Sequence, residues 1–359
     1  MKKILVIQQK MIGDVLVSTI LCETLSKAYP NAQVDYLIYE STYPVIEANE
    51  KNYNVLFFKK EYRSNKKAFI QFALQLKKEN YDVIIDAYSK LESWIIVGLS
   101  KAPLKISFKK GVSNFLYTHL IERHPKPQTN LGLVIEHRLK LLSPLEISAD
   151  LLITKPVIKI TATENQQAIN TLIENKIDLQ KPIIMLNIIG SNDTKTYPLH
   201  YMTKVADELA KNEVQILFNY LPNQVEKAKK VLDSCEEETR EKVFFNVLGN
   251  DLRGLLALMN QCSMVIGNDG GTMNMAKALN KATFIIFSPW IEKAAWNTFE
   301  DGVKHVSVHL NDYKPELFKN KQLKEIKSEN EKLYQMFSPS FFGDLLTRFI
   351  KTNLVNESN

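Results

Sequence analysis

The stretch VIGNDGGTMNMAKAL, residues 265–279, decides the fold class. An apolar run through Val265 and Ile266 breaks at Gly267, Asn268 and Asp269, passes two glycines, and continues into helix-forming residues up to Leu279. Strand, glycine turn and helix, in that order, make the repeating step of a parallel α/β unit. Without a Cβ at Gly270 or Gly271, a ligand can approach the N–H groups that open the helix. Those groups have no intrahelical partner and carry the positive end of the helix dipole. An anionic diphosphate is the natural occupant. The residues alone leave a second reading open, a tight turn with Asp269 capping the helix.

Working outward, the same alternation fills both halves. Short apolar runs at 3–7, 33–38, 55–58, 83–86 and 104–108 are separated by helical patterns at 15–28, 66–79 and 89–99. A second series places strands at 183–187, 215–219, 243–246, 264–267 and 283–288, with helices at 201–211, 225–237, 252–261 and 274–279. Near-continuous apolar strands are those of parallel sheets covered on both faces. The expected fold is therefore α/β with two Rossmann-like, doubly wound parallel-sheet lobes, joined through 144–156, with the carboxyl ends of their strands lining a central cleft. The expected domains are 1–160 and 161–335. Residues 336–359 carry an amphipathic helix, 341–350, that either packs back on the first domain or lies on the surface.

Composition bounds the rest. With 359 residues, 45% apolar and 24% charged, the chain is long enough for two cores. Cys22, Cys235 and Cys262 show no C-x-x-C spacing, which argues against a disulfide framework or a zinc site and fits a reducing cytoplasm. No stretch reaches the roughly 20 apolar residues of a membrane span, so any membrane contact is peripheral. The net charge of +6 admits an anionic partner.

At the end of the first strand stands IQQKMIGDVL, residues 7–16. Asp14 falls at a helix start, where free N–H groups favour a negative charge. It is either a cap or a carboxylate that can take a proton from a substrate hydroxyl. Lys59, Lys60, Arg63, Lys66 and Lys67 cluster after the third strand, next to Tyr62 and Phe69. This run is either a solvated face or a rim for an anionic acceptor and membrane leaflet.

Several blocks resemble glycosyltransferase family 9, the ADP-heptose:lipopolysaccharide heptosyltransferases. The opening ILVIQQKMIGDVLVSTILCETLSKAYPNAQVDYLI is similar to that family's I-G-D-x-x-x-x-T/S turn and following strand. YDVIIDAYSKLESWIIVGLSKAPLKISF and VIEHRLKLLSPLEI resemble its D-x-x-I-D strand and H-x-x-x-R helix. IGSNDTKTYPLHYMTKVADELAK resembles its K-x-W-P segment, and VIGNDGGTMNMAKALNKATFIIFSP its D-T/S-G-P-x-H-x-A-A-A-L segment.

The resemblance implies a GT-B architecture and an inverting transferase that needs no divalent metal or other cofactor. The donor is a nucleotide-sugar, ADP-heptose first, and the acceptor an anionic lipopolysaccharide inner-core or similar glycolipid. Asp14 matches the catalytic base. Ser191, Lys195, Asp269, Gly270, Gly271, Thr272, Met273 and Asn274 match the diphosphate site, with Asp269 expected to accept backbone N–H bonds. Gly190 and Glu226 would serve the nucleoside, and Gly13, Lys10, Lys59, Lys60, Arg63 and Lys67 the acceptor. The expected context is a monomer in the cytoplasm, peripheral to the cytoplasmic face of the inner membrane, with no nucleic acid partner.

Three departures bear on the donor. Gly270, Thr272 and Asn274 replace the family's hydroxyl, proline and histidine, Gln8 replaces a basic residue before the turn, and 220–226 lacks the usual glycine-rich turn. The alternatives are a transferase of the same fold with another nucleotide-sugar and surface-polysaccharide acceptor, or a non-catalytic nucleotide-sugar-binding protein. A nicotinamide-dependent dehydrogenase is disfavoured, since the first turn holds Gly13 alone in place of G-x-G-x-x-G.

Overall fold

In the computed structural model, which describes residues 1–355, every strand runs parallel to its neighbours. The chain divides into two units, Met1–Ile158 and Lys159–Asn359. The first holds β1 (Lys3–Ile7), β2 (Gln33–Tyr39), β3 (Asn54–Phe58), β4 (Val83–Asp86), β5 (Leu104–Phe108) and β6 (His119–Ile121) in the order β3-β2-β1-β4-β5-β6. Its helices are α1 (Ile12–Ala28), α2 (Lys66–Lys78), α3 (Leu91–Leu99) and α4 (Leu133–Lys140). β1 pairs Lys3–Ile7 with β2 on one side and Ile4–Ile7 with β4 on the other. The connections reverse direction at that point, and a doubly wound sheet opens its crevice there, at the carboxyl ends.

The second unit contains β7 (Ile183–Asn187), β8 (Gln215–Asn219), β9 (Val243–Phe244), β10 (Met264–Asn268), β11 (Ala282–Ile286) and β12 (His305–Val308), ordered β12-β11-β10-β7-β8-β9. Its helices include α5 (Ala162–Glu174), α6 (Leu199–Ala210), α7 (Val225–Asp233), α8 (Glu237–Lys242), α9 (Leu252–Gln261) and α10 (Gly271–Ala278). Read from β9, this is the order of the first sheet again, with its switch point between β7 and β10. All five residues of β7, of β10 and of β11 are buried, as expected for strands covered on both faces.

Both sheets carry a short edge strand that the apolar pattern does not announce, β6 and β12, of three and four residues. Edge strands pair on one side only and need no long apolar run. The helix expected over 225–237 breaks into α7 and α8, and the one expected from Asn274 begins three residues earlier, at Gly271.

The C-terminal helix Gly343–Val355 buries its apolar face in the second unit. Leu346, Phe349 and Ile350 are buried with Phe337 and Phe342 in the core of the second unit, beside Phe284 and Tyr197. Five large apolar side chains within fourteen residues give this segment a core of its own to complete. No helix among the described residues is long and apolar enough to cross a membrane. The three cysteines are buried.

Candidate functional site

At the first switch point, Asp14 occupies the first turn of α1, and Met11 at the N-cap makes no side-chain cap bond. The Asp14 carboxylate is held instead by Arg138 on α4, whose Nη2 donates to Oδ1 at 2.7 Å. Oδ2 has no hydrogen-bond partner among the described residues. Arg138 is fixed in turn: Nε donates to Ser18 Oγ at 3.1 Å and Nη2 to Gln8 Oε1 at 3.4 Å. Thus Gln8, which stands in place of a basic residue in the turn, orients a guanidinium supplied from 130 residues away. The sequence gives Arg138 no role of its own; its place in the block that resembles the family's H-x-x-x-R helix was the available signal.

Beside it, β4 ends in Asp86, fully buried. Burial pushes its carboxyl up, while Tyr117 Oη donating at 2.6 Å and the N–H of Ser89 at 2.7 Å favour the charge. These bonds shape the loop after β4. Gly13 lies buried inside α1. Lys10 and Arg63 both stand over the ring of Tyr39, at 5.5 and 5.8 Å from its centroid, so the loops after β1 and β3 converge. Lys59, Lys60 and Lys67 are exposed. The neighbouring aromatics are not: Phe69 is buried, and Tyr62 stacks on Phe72 with centroids 4.7 Å apart.

The second switch point is stitched by asparagines. Asn187 Nδ2 donates to the carbonyl of Asn268 and Asn268 Nδ2 to that of Asn187, each at 2.9 Å, and Asn268 Oδ1 accepts the N–H of Tyr197 at 2.7 Å. Gly267 has φ +128°, and a Cβ there would stand 2.4 Å from the carbonyl oxygen of Asn187. A Cβ on Gly190 would stand 2.3 Å from the carbonyl oxygen of Lys195. Both glycines are therefore dictated by chain packing. Gly190 also accepts a bond from Gln224 Nε2 at 3.1 Å, whereas Glu226, named for the nucleoside, is exposed in the first turn of α7.

The loop that follows carries Ser191, exposed, and Lys195. It is locked at one atom, the carbonyl oxygen of Thr194, which accepts from Ser288 Oγ at 2.7 Å, Asn330 Nδ2 at 2.9 Å and Trp290 Nε1 at 3.1 Å. Held there, Lys195 donates its Nζ to Asp269 Oδ2 at 3.1 Å. Asp269 is turned to the lysine rather than to backbone amides, and it does not cap α10, whose N-cap Gly270 has no side-chain bond. Burial pushes the Asp269 carboxyl up and the Lys195 ammonium draws it back.

A Cβ on Gly270 would meet nothing within 4 Å, so its absence leaves open space before the helix. Gly271 and Thr272 open α10, Met273 is buried, and Asn274 completes the first turn. An uncapped helix start therefore follows directly on the carboxylate that holds a cation, and N–H groups with an ammonium nearby suit an anion. No cluster of three or more His, Cys, Asp or Glu side chains that could hold a metal ion occurs among the described residues.

A family model described as glycosyltransferase family 9 (heptosyltransferase) matches residues 69–327. Lipopolysaccharide heptosyltransferase 3 of Escherichia coli is 24% identical over 293 residues, spanning 77% of this chain and 80% of that protein. The crystal structure of a family 9 glycosyl transferase from Veillonella parvula superposes with a TM-score of 0.71 at 18% identity, covering 94% of this chain and 98% of the other. The E. coli heptosyltransferase WaaC, solved with ADP, gives 0.64 at 15% identity, covering 92% and 99%.

Proposed function

The chain belongs to glycosyltransferase family 9 and is a glycosyltransferase of GT-B type, and on that premise we propose that it moves a heptose from ADP-heptose to a lipopolysaccharide inner-core or similar anionic glycolipid, with inversion at the anomeric carbon. Asp14 is the general base. Its free Oδ2 takes the proton of the acceptor hydroxyl as that oxygen attacks the anomeric carbon, while Arg138 fixes the carboxylate through Oδ1. The bond from the anomeric carbon to the diphosphate oxygen breaks, and ADP leaves with its electron pair.

The developing charge is met by Lys195 and by the N–H groups of Gly271 and Thr272 at the α10 start, in place of a divalent ion. An ammonium has three donors, so Lys195 can keep Asp269 and still reach a phosphate. Ser191, Gly270, Met273 and Asn274 line this donor seat, and Gly190 and Glu226 adjoin the nucleoside. Lys10, Gly13, Lys59, Lys60, Arg63 and Lys67 adjoin the acceptor, whose phosphates and carboxylates suit the convergence of Lys10 and Arg63 on Tyr39. The enzyme works peripherally, as a monomer, at the cytoplasmic face of the inner membrane.

The observation that carries this reading is the Lys195–Asp269 pair beside an uncapped helix start. ADP in the similar WaaC structure supports the choice of nucleotide. The test offers ADP-heptose and other nucleotide-sugars with a lipopolysaccharide-core acceptor and reads the product's anomeric configuration by NMR. Transfer from ADP-heptose alone, with inversion, is expected. Retention of configuration, or preference for a uridine or guanosine donor, overturns it.

A further inference from the structure

Four large apolar side chains are more exposed than any others among the described residues: Val112 and Phe115 at 83%, Met11 and Leu91 at 65%. All four lie just past the carboxyl ends of three adjacent strands. Met11 follows β1, Leu91 follows β4, and Val112 and Phe115 follow β5, in a sheet ordered β1-β4-β5 at that point. Neighbouring strands are about 5 Å apart, so the loops they release share one edge. Apolar side chains scattered singly over a surface need no explanation, but the four most exposed gathered on one sheet edge do.

The same loops are basic. Lys10 precedes Met11, Lys90 precedes Leu91, and Lys109 and Lys110 precede Val112. Lys109 pairs with Glu122 at 2.6 Å, but no carboxylate lies within salt-bridge distance of Lys10, Lys90, Lys110 or Arg123 among the described residues. Lys110 donates to the carbonyls of Tyr88 and Ser89 at 3.4 and 3.3 Å, which ties the β4 and β5 loops together. Partial burial first, then the charges of Arg123 and Lys90, pull its ammonium down to about 8. These cations are close enough to repel one another, and an anionic surface relieves that repulsion.

We propose that this edge of the first sheet docks on an anionic phospholipid bilayer, with Phe115, Val112, Leu91 and Met11 sinking below the headgroups and the lysines remaining at phosphate level. The proposal rests on the reading of the acceptor as a membrane glycolipid. It moves the contact expected of the 59–69 segment, whose aromatics are packed inward, to the loops after β1, β4 and β5. The apolar tips come from three separate loops, each with a lysine beside its tip. A fluid charged surface accommodates that arrangement without a matched partner.

The experiment sediments the full chain with vesicles of phosphatidylcholine, with and without phosphatidylglycerol. Wild-type protein pellets with the phosphatidylglycerol vesicles only. Val112→Ser combined with Phe115→Ser lowers the partition at least about tenfold, since burying even one such side chain is worth that factor. Lys90→Gln lowers it about fivefold, and only on anionic vesicles. Circular dichroism and ADP titration accompany every variant and stay at wild-type values, because these side chains lie in solvent.

Absence of wild-type pelleting, equal pelleting of the double variant, or equal binding to neutral vesicles overturns the proposal. So does a loss of self-association by the double variant in gel filtration without lipid, which would make a second copy the occupant. Failure to bind ADP strikes the donor reading and leaves the vesicle result standing on its own.

Discussion

Both sheets have the same strand order, yet their switch points present opposite charges in a mirrored construction. In the first unit the acid is outermost, with Asp14 at 21% side-chain exposure backed by Arg138 at 8%. In the second the cation is outermost, with Lys195 at 22% backed by Asp269 at 12%. Each outward group is the one assigned to chemistry or ligand, and each counter-ion comes from a distant part of the chain, 124 and 74 residues away. The topology fixes where a charged group stands; the residue buried behind it fixes the sign. A buried counter-ion also restricts the rotamers of the group it holds, so less ordering is left for the moment of reaction.

Asp14→Asn tests the outward acid most severely. Asparagine keeps the volume and can still accept from Arg138, but it cannot hold a proton. Transfer is expected to fall by about a hundredfold to ten-thousandfold, the usual span for a lost general base, with ADP affinity unaltered in calorimetry. Comparable turnover in the variant removes Asp14 from the chemistry and breaks the mirror.

The next largest effect belongs to the residue behind it. Arg138→Met leaves Asp14 without its partner and also empties the bonds to Ser18 and Gln8. Stability in urea should drop by about 2–3 kcal/mol, below the range for fully buried pairs because Asp14 keeps some solvent. Turnover should fall while KM for the donor holds. Arg138→Lys should recover stability more than turnover, since one ammonium cannot reproduce the fork that spans Asp14, Ser18 and Gln8. If kcat is untouched in either variant, the arginine only braces the fold.

In the second unit, Lys195→Ala should weaken ADP binding about tenfold to a hundredfold, the scale of a hydrogen bond to a charged group. AMP, lacking the second phosphate, should lose less. Equal affinity for ADP in variant and wild type detaches the lysine from the phosphates and leaves the Asp269 pair as a structural contact.

What could be read beforehand divides along the same line. The alternation of strands and helices in both halves and the glycine turn at 267–271 follow from local periodicity, which one strand or helix expresses by itself. Asp14 and Lys195 were legible through the resemblance to glycosyltransferase family 9; by its place alone Asp14 stood open between a cap and a base. Their partners were not: nothing near Arg138 or in the Asp269 turn says which distant charge the fold delivers to it. The glycines show a related limit. Gly190 was expected beside the nucleoside, whereas the neighbouring chain fills the room a Cβ would take there, and a Cβ on Gly270 would meet open space. For exposure, residue type misled outright. The aromatics at 62 and 69 pack inward, while Val112 and Phe115, in a loop with no periodicity, are the side chains left in solvent.

The smallest effect concerns a charge the second unit buries without a salt-bridged carboxylate. Lys277 on α10 is 3% exposed, and its Nζ donates to the carbonyl of Thr298 at 2.5 Å and to its hydroxyl at 3.4 Å. Burial pulls the ammonium from the ordinary 10.5 down to about 8, against the opposing pull of Glu300, Asp269 and Asp301. Between those two values the unfolded chain holds a proton that the folded chain has released, so stability from this group rises with pH across the window from about 8 to 10.5. Lys277→Met should flatten that rise in urea midpoints. At neutral pH it should lie within about 1 kcal/mol of wild type, because the lost hydrogen bond is offset by the relief of a buried charge. An unchanged slope would mean that Lys277 keeps its proton in the fold. The second unit would then carry a permanently charged cation behind α10, and its positive switch point would rest on two buried-side charges where the first unit uses one.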